Sequence, residues 1–257
     1  MPNAVCLLPV IPIRKEPSHR SEMVSQLLFG EYAITGEEKD EFVFVKVDYD
    51  GYEGWVQAKQ IIVVASKEVL MPIAYTAGFA TPVVKDSSML HVPYATPVFA
   101  EAGKDFTIAG HSLSFLVQPQ QLLKKDERKL TAETLAAAYQ PYLNAPYLWG
   151  GKSVWGTDCS GFTQQVFKLF GVKLLRDAYL QAEQGKSVPF VAQAQLGDLA
   201  FFQNEKGRVT HVGIVLKDGR IVHASGEVRI DVLDEKGILN SDTNRLTHTM
   251  HSIRRFF

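Results

Sequence analysis

The sequence predicts a multi-domain protein in which two small all-β barrels precede an α+β domain, and three observations lead there. Its 257 residues, 46% of them hydrophobic, can bury a core but make a long chain for a single one. Short β-type runs separated by turn-rich clusters fill residues 5–64 with no helical period, and a weaker version of the pattern recurs over 66–123. Beyond residue 130 the pattern changes, with helical segments first and strand-like runs after them.

The first barrel, 1–65, is built from the runs AVCLLPVI, SQLLFGEYAITG, EFVFVKVDYDGYEGWV and QIIVV. In DGYEGWV the glycines let the backbone turn and Trp55 is expected to pack inward. Residues 66–125, with TPVVK, TPVFAEAG, FTIAG and SFLVQP, read as a second, degenerate barrel. The charged segment KKDERKL, 124–130, marks a linker or a helix start, and the third domain takes 126–257. There LTAETLAAAYQPYL predicts a helix with Thr131 as N-cap and Glu133 in the first turn, where the helix dipole favours an acid. Thr134 in place of Glu or Gln predicts no full capping box. In CSGFTQQVFKLFG, Phe162, Val166, Phe167 and Phe170 recur at helical spacing, and Gly171 supplies the stop. GDLAFFQ, HVGIVL, RIVHASG, VRIDVL and HSIRRFF read as strands.

With 27 basic and 28 acidic side chains the chain has no electrostatic footprint for nucleic acid, which is excluded as a partner. Cys6 and Cys159 are the only cysteines, too few for a disulfide framework and wrongly spaced for structural zinc. The opening MPNAVCLLPVIPIRKEP has no basic leader and is broken by Pro9 and Pro12, and no run reaches the length of a membrane span. If Met1 is the natural start the expected location is the cytoplasm; a removed signal peptide would instead place the protein in the periplasm or cell envelope.

The stretch WGTDCSGF carries the chemistry. A thiol is nucleophilic as thiolate, and the first turn of a helix lowers its pKa, so Cys159 is a candidate nucleophile, with an inert core thiol the alternative that position alone leaves open. Asp158 can cap the helix or bind a cation, and Gly161 lets the backbone crowd a substrate. Two histidines flank KDGR: His211 in THVGIVL and His223 in RIVHASG. A two-residue turn would put them on opposite faces. A three-residue loop, Lys217-Asp218-Gly219, pairs Leu216 with Arg220 and makes them diagonal neighbours on one face, about 7 to 8 Å apart at the backbone. A catalytic function requires the second register, with His211 as base and His223 as orienter. His19, His91, His111, His248 and His251 show no such spacing. Without a C-x-x-C or H-x-x-x-H pair, no metal is expected, and no organic cofactor either.

The pieces APYLWGGKSVWGTDCSGFTQQVF, LLRDAYLQAEQG, QLGDLAFF, THVGIVL and IVHAS, in that order over residues 139–257, resemble the NlpC-type, papain-like cysteine peptidases of bacterial cell-wall metabolism. PIRKEPSHRSEMVSQLLFGE and DGYEGWV resemble bacterial Src-homology-type barrels, and a subgroup of the family that carries such barrels acts as γ-D-glutamyl-L-diamino acid endopeptidase on peptidoglycan stem peptides. The resemblance implies hydrolysis of the bond between the D-Glu γ-carboxyl and meso-diaminopimelate or Lys, in murein peptide recycling or turnover, by a monomer whose partners are those peptides. It assigns Cys159 as nucleophile, His211 as base, His223 as orienter and Tyr147 as a tyrosine near the oxyanion. Asp158 and Ser160 stand where the subgroup recognises a free L-Ala amine, a charge-assisted contact that an acylated stem would lose. Ala178 replaces a small polar residue of the subgroup, and Arg176 with Asp177 is expected to fix a loop. From the first barrel Glu16, Glu22, Tyr49 and Tyr52 are expected to close the far end of the pocket and so to limit substrate length. Two other classes fit less well: an amidase cutting the muramic acid to L-alanine bond, which Asp158 argues against, and a non-catalytic wall-binding protein, which the intact Cys159, His211 and His223 argue against.

Overall fold

A computed structural model describes residues 2–66, 71–124 and 129–257. The chain forms two compact units, Met1–Glu127 and Arg128–Phe257.

In the first unit seven antiparallel strands run in the spatial order Met23–Leu28, Val10–Arg14, Glu53–Gln57, Phe42–Val47, Tyr32–Lys39, Asn3–Val5, Ile62–Val64. Alternation puts Ile11, Ile13, Val43, Val45 and Val56 into one core. Trp55 does not point into it. Val56 takes the buried position in that strand, and Trp55 lies half-buried on the other face, edge-to-face with Phe44 at 5.4 Å. The glycine matters for a different reason: a Cβ on Gly54 would come within 2.5 Å of Ile13 and 2.8 Å of the Arg14 carbonyl, so its absence lets two strands cross closely.

Residues 74–124 form a four-stranded and a three-stranded antiparallel sheet. Their core joins Val83, Leu113 and Phe115 to Val5, Leu7 and Phe29 of the preceding segment, so the two β regions share buried apolar surface. The expected boundary after residue 125 and most of the charged segment 124–130 lie outside the described residues.

The second unit begins with α1 (Ala132–Tyr139). Its N-terminus corrects the expectation of an incomplete cap. Thr131 accepts from the Thr134 N–H at 3.2 Å while the Thr134 hydroxyl accepts from the Thr131 N–H at 2.9 Å, so threonine closes the box without a longer side chain. Next comes α2 (Cys159–Lys168), buried along nearly its whole length, with Gly171 at φ 74° ending the segment. The short α3 (Ala178–Gln181) follows.

Besides a short antiparallel pair, Lys152–Ser153 with Gly156–Thr157, the unit has a seven-stranded sheet of β1 (Lys186–Val188), β2 (Leu199–Gln203), β3 (Val209–Val215), β4 (Arg220–Ser225), β5 (Glu227–Asp234), β6 (Gly237–Leu239) and β7 (Leu246–Arg255). They are antiparallel in the order β1-β7-β2-β3-β4-β5-β6, and β6 also pairs with β7, so six strands close on themselves. Phe202, Ile221, Ile238 and Ile253 lie in the enclosed core. On the outside α2 packs against β3 and β4. That contact brings the cysteine to the histidine strands.

Candidate active site

Cys159 is the first residue of α2, and Asp158 caps the helix by accepting from the Gly161 N–H at 2.7 Å. The sulfur accepts from the backbone N–H groups of Ser160 and Val212. Val212 follows His211 on β3, so this bond ties the thiol directly to the strand carrying the first histidine.

The hairpin joining β3 to β4 has the three-residue loop. Gly213 pairs with His223 and the Leu216 N–H bonds to the Arg220 carbonyl, with both Asp218 and Gly219 left-handed. His211 and His223 therefore share a face as diagonal neighbours, and His211 Nε2 lies 2.8 Å from His223 Nδ1. Both rings are buried, 6% and 1% exposed, which makes a satisfied partner obligatory rather than optional.

Burial sets the electrostatics. It pushes the Cys159 thiol up to about 12, with the Asp158 charge adding to the rise and outweighing the two N–H bonds and the Arg176 guanidinium. The expectation that the helix N-terminus leaves a low-pKa thiol is thereby corrected: desolvation wins at this depth. The same burial, with His248 and His223 nearby, holds His211 well below the ordinary histidine range. At rest the thiol and the His211 imidazole are therefore both neutral. Tyr147 is half-buried; burial first, then the charges of Cys159 and Asp158, raise its hydroxyl, so it keeps its proton and remains a donor.

Asp158 and Ser160 sit around the cysteine in an arrangement the sequence did not suggest. Arg176, 1% exposed, forks onto the carboxylate, Nη1 to Oδ1 at 3.0 Å and Nη2 to Oδ2 at 2.6 Å, and Nη1 also reaches Ser160 Oγ at 3.0 Å. The Gly150 N–H and the Ser160 hydroxyl donate to the same carboxylate. A carboxylate has about four good acceptor positions, and these are taken. Asp158, expected as a clamp for a substrate ammonium, is thus paired with Arg176, and its lone pairs also hold the start of α2. Arg176 does not merely fix a loop; it is part of that knot. Gly161 is also corrected, because a Cβ there would lie 2.1 Å from the Gly151 carbonyl, so the crowding is by the protein's own backbone.

Asp177 precedes α3 without capping it, and Ala178 is buried. In the first unit Glu16 and Glu22 are exposed, Glu22 being 3.9 Å from Lys15 Nζ. Tyr49 packs against that unit's core, burial raising its hydroxyl, and Tyr52 is half-buried nearby in sequence.

Two residues passed over in the sequence join the histidines. His248 on β7 stacks on His211, with ring centroids 4.1 Å apart and planes at 26°. Asp231 on β5, 1% exposed, lies 3.0 Å from His223 Nε2. A recognisable signal existed only for Asp231, two residues beyond the position that pairs with His223. The nitrogens of His211, His223 and His248 come within 4.8 Å of one another. As a metal site the trio is poor: stacked rings aim their in-plane lone pairs side by side, and His211 Nε2 and His223 Nδ1 already satisfy each other.

A cysteine at the head of a buried helix that packs on the barrel strands carrying a hydrogen-bonded histidine pair is the arrangement of a papain-like cysteine peptidase. Residues 144–246 match the NlpC/P60 family and residues 13–61 match the bacterial dipeptidyl-peptidase Sh3 domain. The chain is 32% identical over 215 residues to a gamma-D-glutamyl-L-lysine dipeptidyl-peptidase of Bacillus subtilis (strain 168), covering 78% of this chain and 71% of that one. Similarity to the protein of the same name in Bacillus cereus (strain ATCC 10987 / NRS 248) is 27% over 230 residues, covering 80% and 68%. A crystal structure of an NlpC/P60 family protein from Bacillus cereus ATCC 10987 has the same fold, with a TM-score of 0.80 at 21% identity and 99% of each chain covered. The chain belongs to the NlpC/P60 family, with an SH3-like β domain ahead of the peptidase domain.

Proposed function

We propose that this peptidase is a peptidoglycan endopeptidase that hydrolyses the γ-D-glutamyl-L-diamino acid bond of stem peptides with a free N-terminal L-Ala, in recycling or turnover of murein peptides. The observation that carries the chemistry is the bond from the Val212 N–H to the Cys159 sulfur beside the 2.8 Å His211–His223 contact. The substrate class is supported by the two Bacillus relatives, matched across both the SH3-like and the peptidase regions and named as gamma-D-glutamyl-L-lysine dipeptidyl-peptidases. Removal of a dipeptide requires a free amino terminus, so the free-amine preference is supported by that likeness.

In the reaction His211 takes the thiol proton as the sulfur bonds to the γ-carbonyl carbon of D-Glu. The oxyanion is met by the Cys159 N–H, with the Tyr147 hydroxyl nearby. The carbon–nitrogen bond then breaks as His211 returns the proton to the leaving amine of the diamino acid. Water, deprotonated by the same histidine, hydrolyses the thioester and frees the dipeptide.

The test is mass-spectrometric detection of L-Ala-γ-D-Glu released from L-Ala-γ-D-Glu-meso-diaminopimelate and from its Lys counterpart, with Cys159→Ala and an N-acetylated peptide as controls. Release by the parent alone, and only from free-amine peptides, supports the proposal. Cleavage of the acetylated peptide removes the free-amine requirement, and no release from either peptide overturns the substrate assignment.

A further inference from the structure

His211, His223 and Asp231 lie in a diagonal row across three neighbouring strands. His223 pairs with Gly213 on one side and with Arg229 on the other, so His211 and Asp231, each two residues from those partners, face His223 from opposite sides. Asp231 is itself tightly held. Arg229 donates from Nε to Oδ2 at 2.9 Å and from Nη2 to Oδ1 at 3.0 Å, and the Ser241 N–H donates to Oδ1 at 2.9 Å. Neither Asp231 nor its partners touch the sulfur chemistry directly.

We propose that Asp231 is a positioning residue of the peptidase, which fixes the tautomers of both histidines and leaves His211 Nδ1 as the bare base. An ionised carboxylate only accepts, so the 3.0 Å contact requires the proton on His223 Nε2. Burial keeps His223 neutral even though Asp231 pulls the other way, so its Nδ1 carries a lone pair. His211 Nε2, 2.8 Å from that lone pair, must donate to it. The only nitrogen of His211 then free of a proton is Nδ1. Reversing the first proton reverses every one after it and puts an N–H where the base should be. The bonds from Arg229 and Ser241 serve the same end: burial alone would raise Asp231, and they bring its carboxyl to about 2, so it stays ionised at any pH at which the enzyme works.

The proposal rests on the Cys159–His211 chemistry above but is tested without the peptide substrate. Asp231→Asn is the decisive variant. An amide nitrogen at Oδ1 would face two donors, Arg229 Nη2 and the Ser241 N–H; at Oδ2 it faces one, Arg229 Nε, and can donate to His223. The second orientation is favoured, and it flips the His223 tautomer.

In ¹⁵N-histidine NMR the parent is expected to show Nε2–H on both His211 and His223, and the variant Nδ1–H on both. Alkylation of Cys159 by iodoacetamide at neutral pH, followed by peptide mapping with buried Cys6 as internal reference, is expected to slow by roughly a hundredfold, the scale of a lost general base. On a cleaved peptide, kcat is expected to fall about 10³- to 10⁴-fold with KM nearly unchanged. Unaltered tautomers in a folded variant, or alkylation within about threefold of the parent, overturns the proposal. Should Asp231→Asn fail to fold, the parent spectrum decides, and Nδ1–H on His223 overturns it. Tautomers and alkylation that change as expected, in a protein that cleaves neither stem peptide, would uphold Asp231 and refute the substrate assignment.

Discussion

Arg176→Met tests whether the buried knot at the head of α2 holds the nucleophile in place. Methionine keeps much of the apolar stem but removes the cation and both charge-assisted bonds to Asp158, at 3.0 and 2.6 Å. Leaving one member of a buried pair unpaired costs about 3–5 kcal/mol. Asp158 keeps three donors, the Gly150 and Gly161 N–H groups and the Ser160 hydroxyl, which puts the expected loss at the lower end, about 3 kcal/mol. For a unit the size of Arg128–Phe257 that is a fall in Tm of about 10 °C by calorimetry. Asp158→Asn added to Arg176→Met removes the stranded charge while its carbonyl still caps the helix, so the double variant is expected to recover about half of the loss. Activity should fall in Arg176→Met by more than unfolding explains, because Cys159 lies between the two residues Arg176 holds. A Tm within about 2 °C of the parent, or a double variant no more stable than the single one, refutes the reasoning.

Three further outcomes follow from the same site. His211 must be neutral to act and its pKa lies well below the ordinary histidine range, while the thiol is pushed up to about 12; kcat/KM should be flat from neutral to mildly alkaline pH, with its acid limb below that range. His248→Gln, which removes both a neighbouring positive charge and part of the burial, should move that limb upward, and an unmoved limb would deny His248 any influence. His211, His223 and His248 all have lowered pKa values, so the folded state binds fewer protons than the unfolded chain below about pH 6.5. Stability is complete above that pH and is lost as the pH falls toward about 4, where His248 titrates. Each withheld proton contributes a slope of up to about 1.4 kcal/mol per pH unit, measurable as a shift in the urea midpoint that His248→Gln should reduce. Finally, Gly161→Ala would set a Cβ 2.1 Å from the Gly151 carbonyl, and should cost about 1–3 kcal/mol in chemical denaturation; an unchanged midpoint would show that the backbone there yields freely.

Much of the peptidase domain was legible because its chemistry is local in sequence or follows from strand parity. Cys159 follows a capping aspartate, and once the loop Lys217-Asp218-Gly219 is granted, the face shared by His211 and His223 is arithmetic. The sequence left the register open, however, and only the requirement for catalysis favoured the three-residue loop. What stayed hidden is set by non-local packing. Arg176 reaches Asp158 across 18 residues, and His248 meets His211 only because β7 folds back to close the barrel. Burial was also underestimated. A helix N-terminus lowers a thiol pKa in the open, but α2 is enclosed, and desolvation reverses the sign. The same enclosure explains why the site needs so many partners around so few reacting atoms. With Asp158, Arg176, Asp231 and Arg229 all drawn into or beside a buried region, every charge is matched by an opposite one. Asp158 with Arg176 and Asp231 with Arg229 thus stand as pairs, so neither carboxylate is left alone beside the residues that must pass a proton.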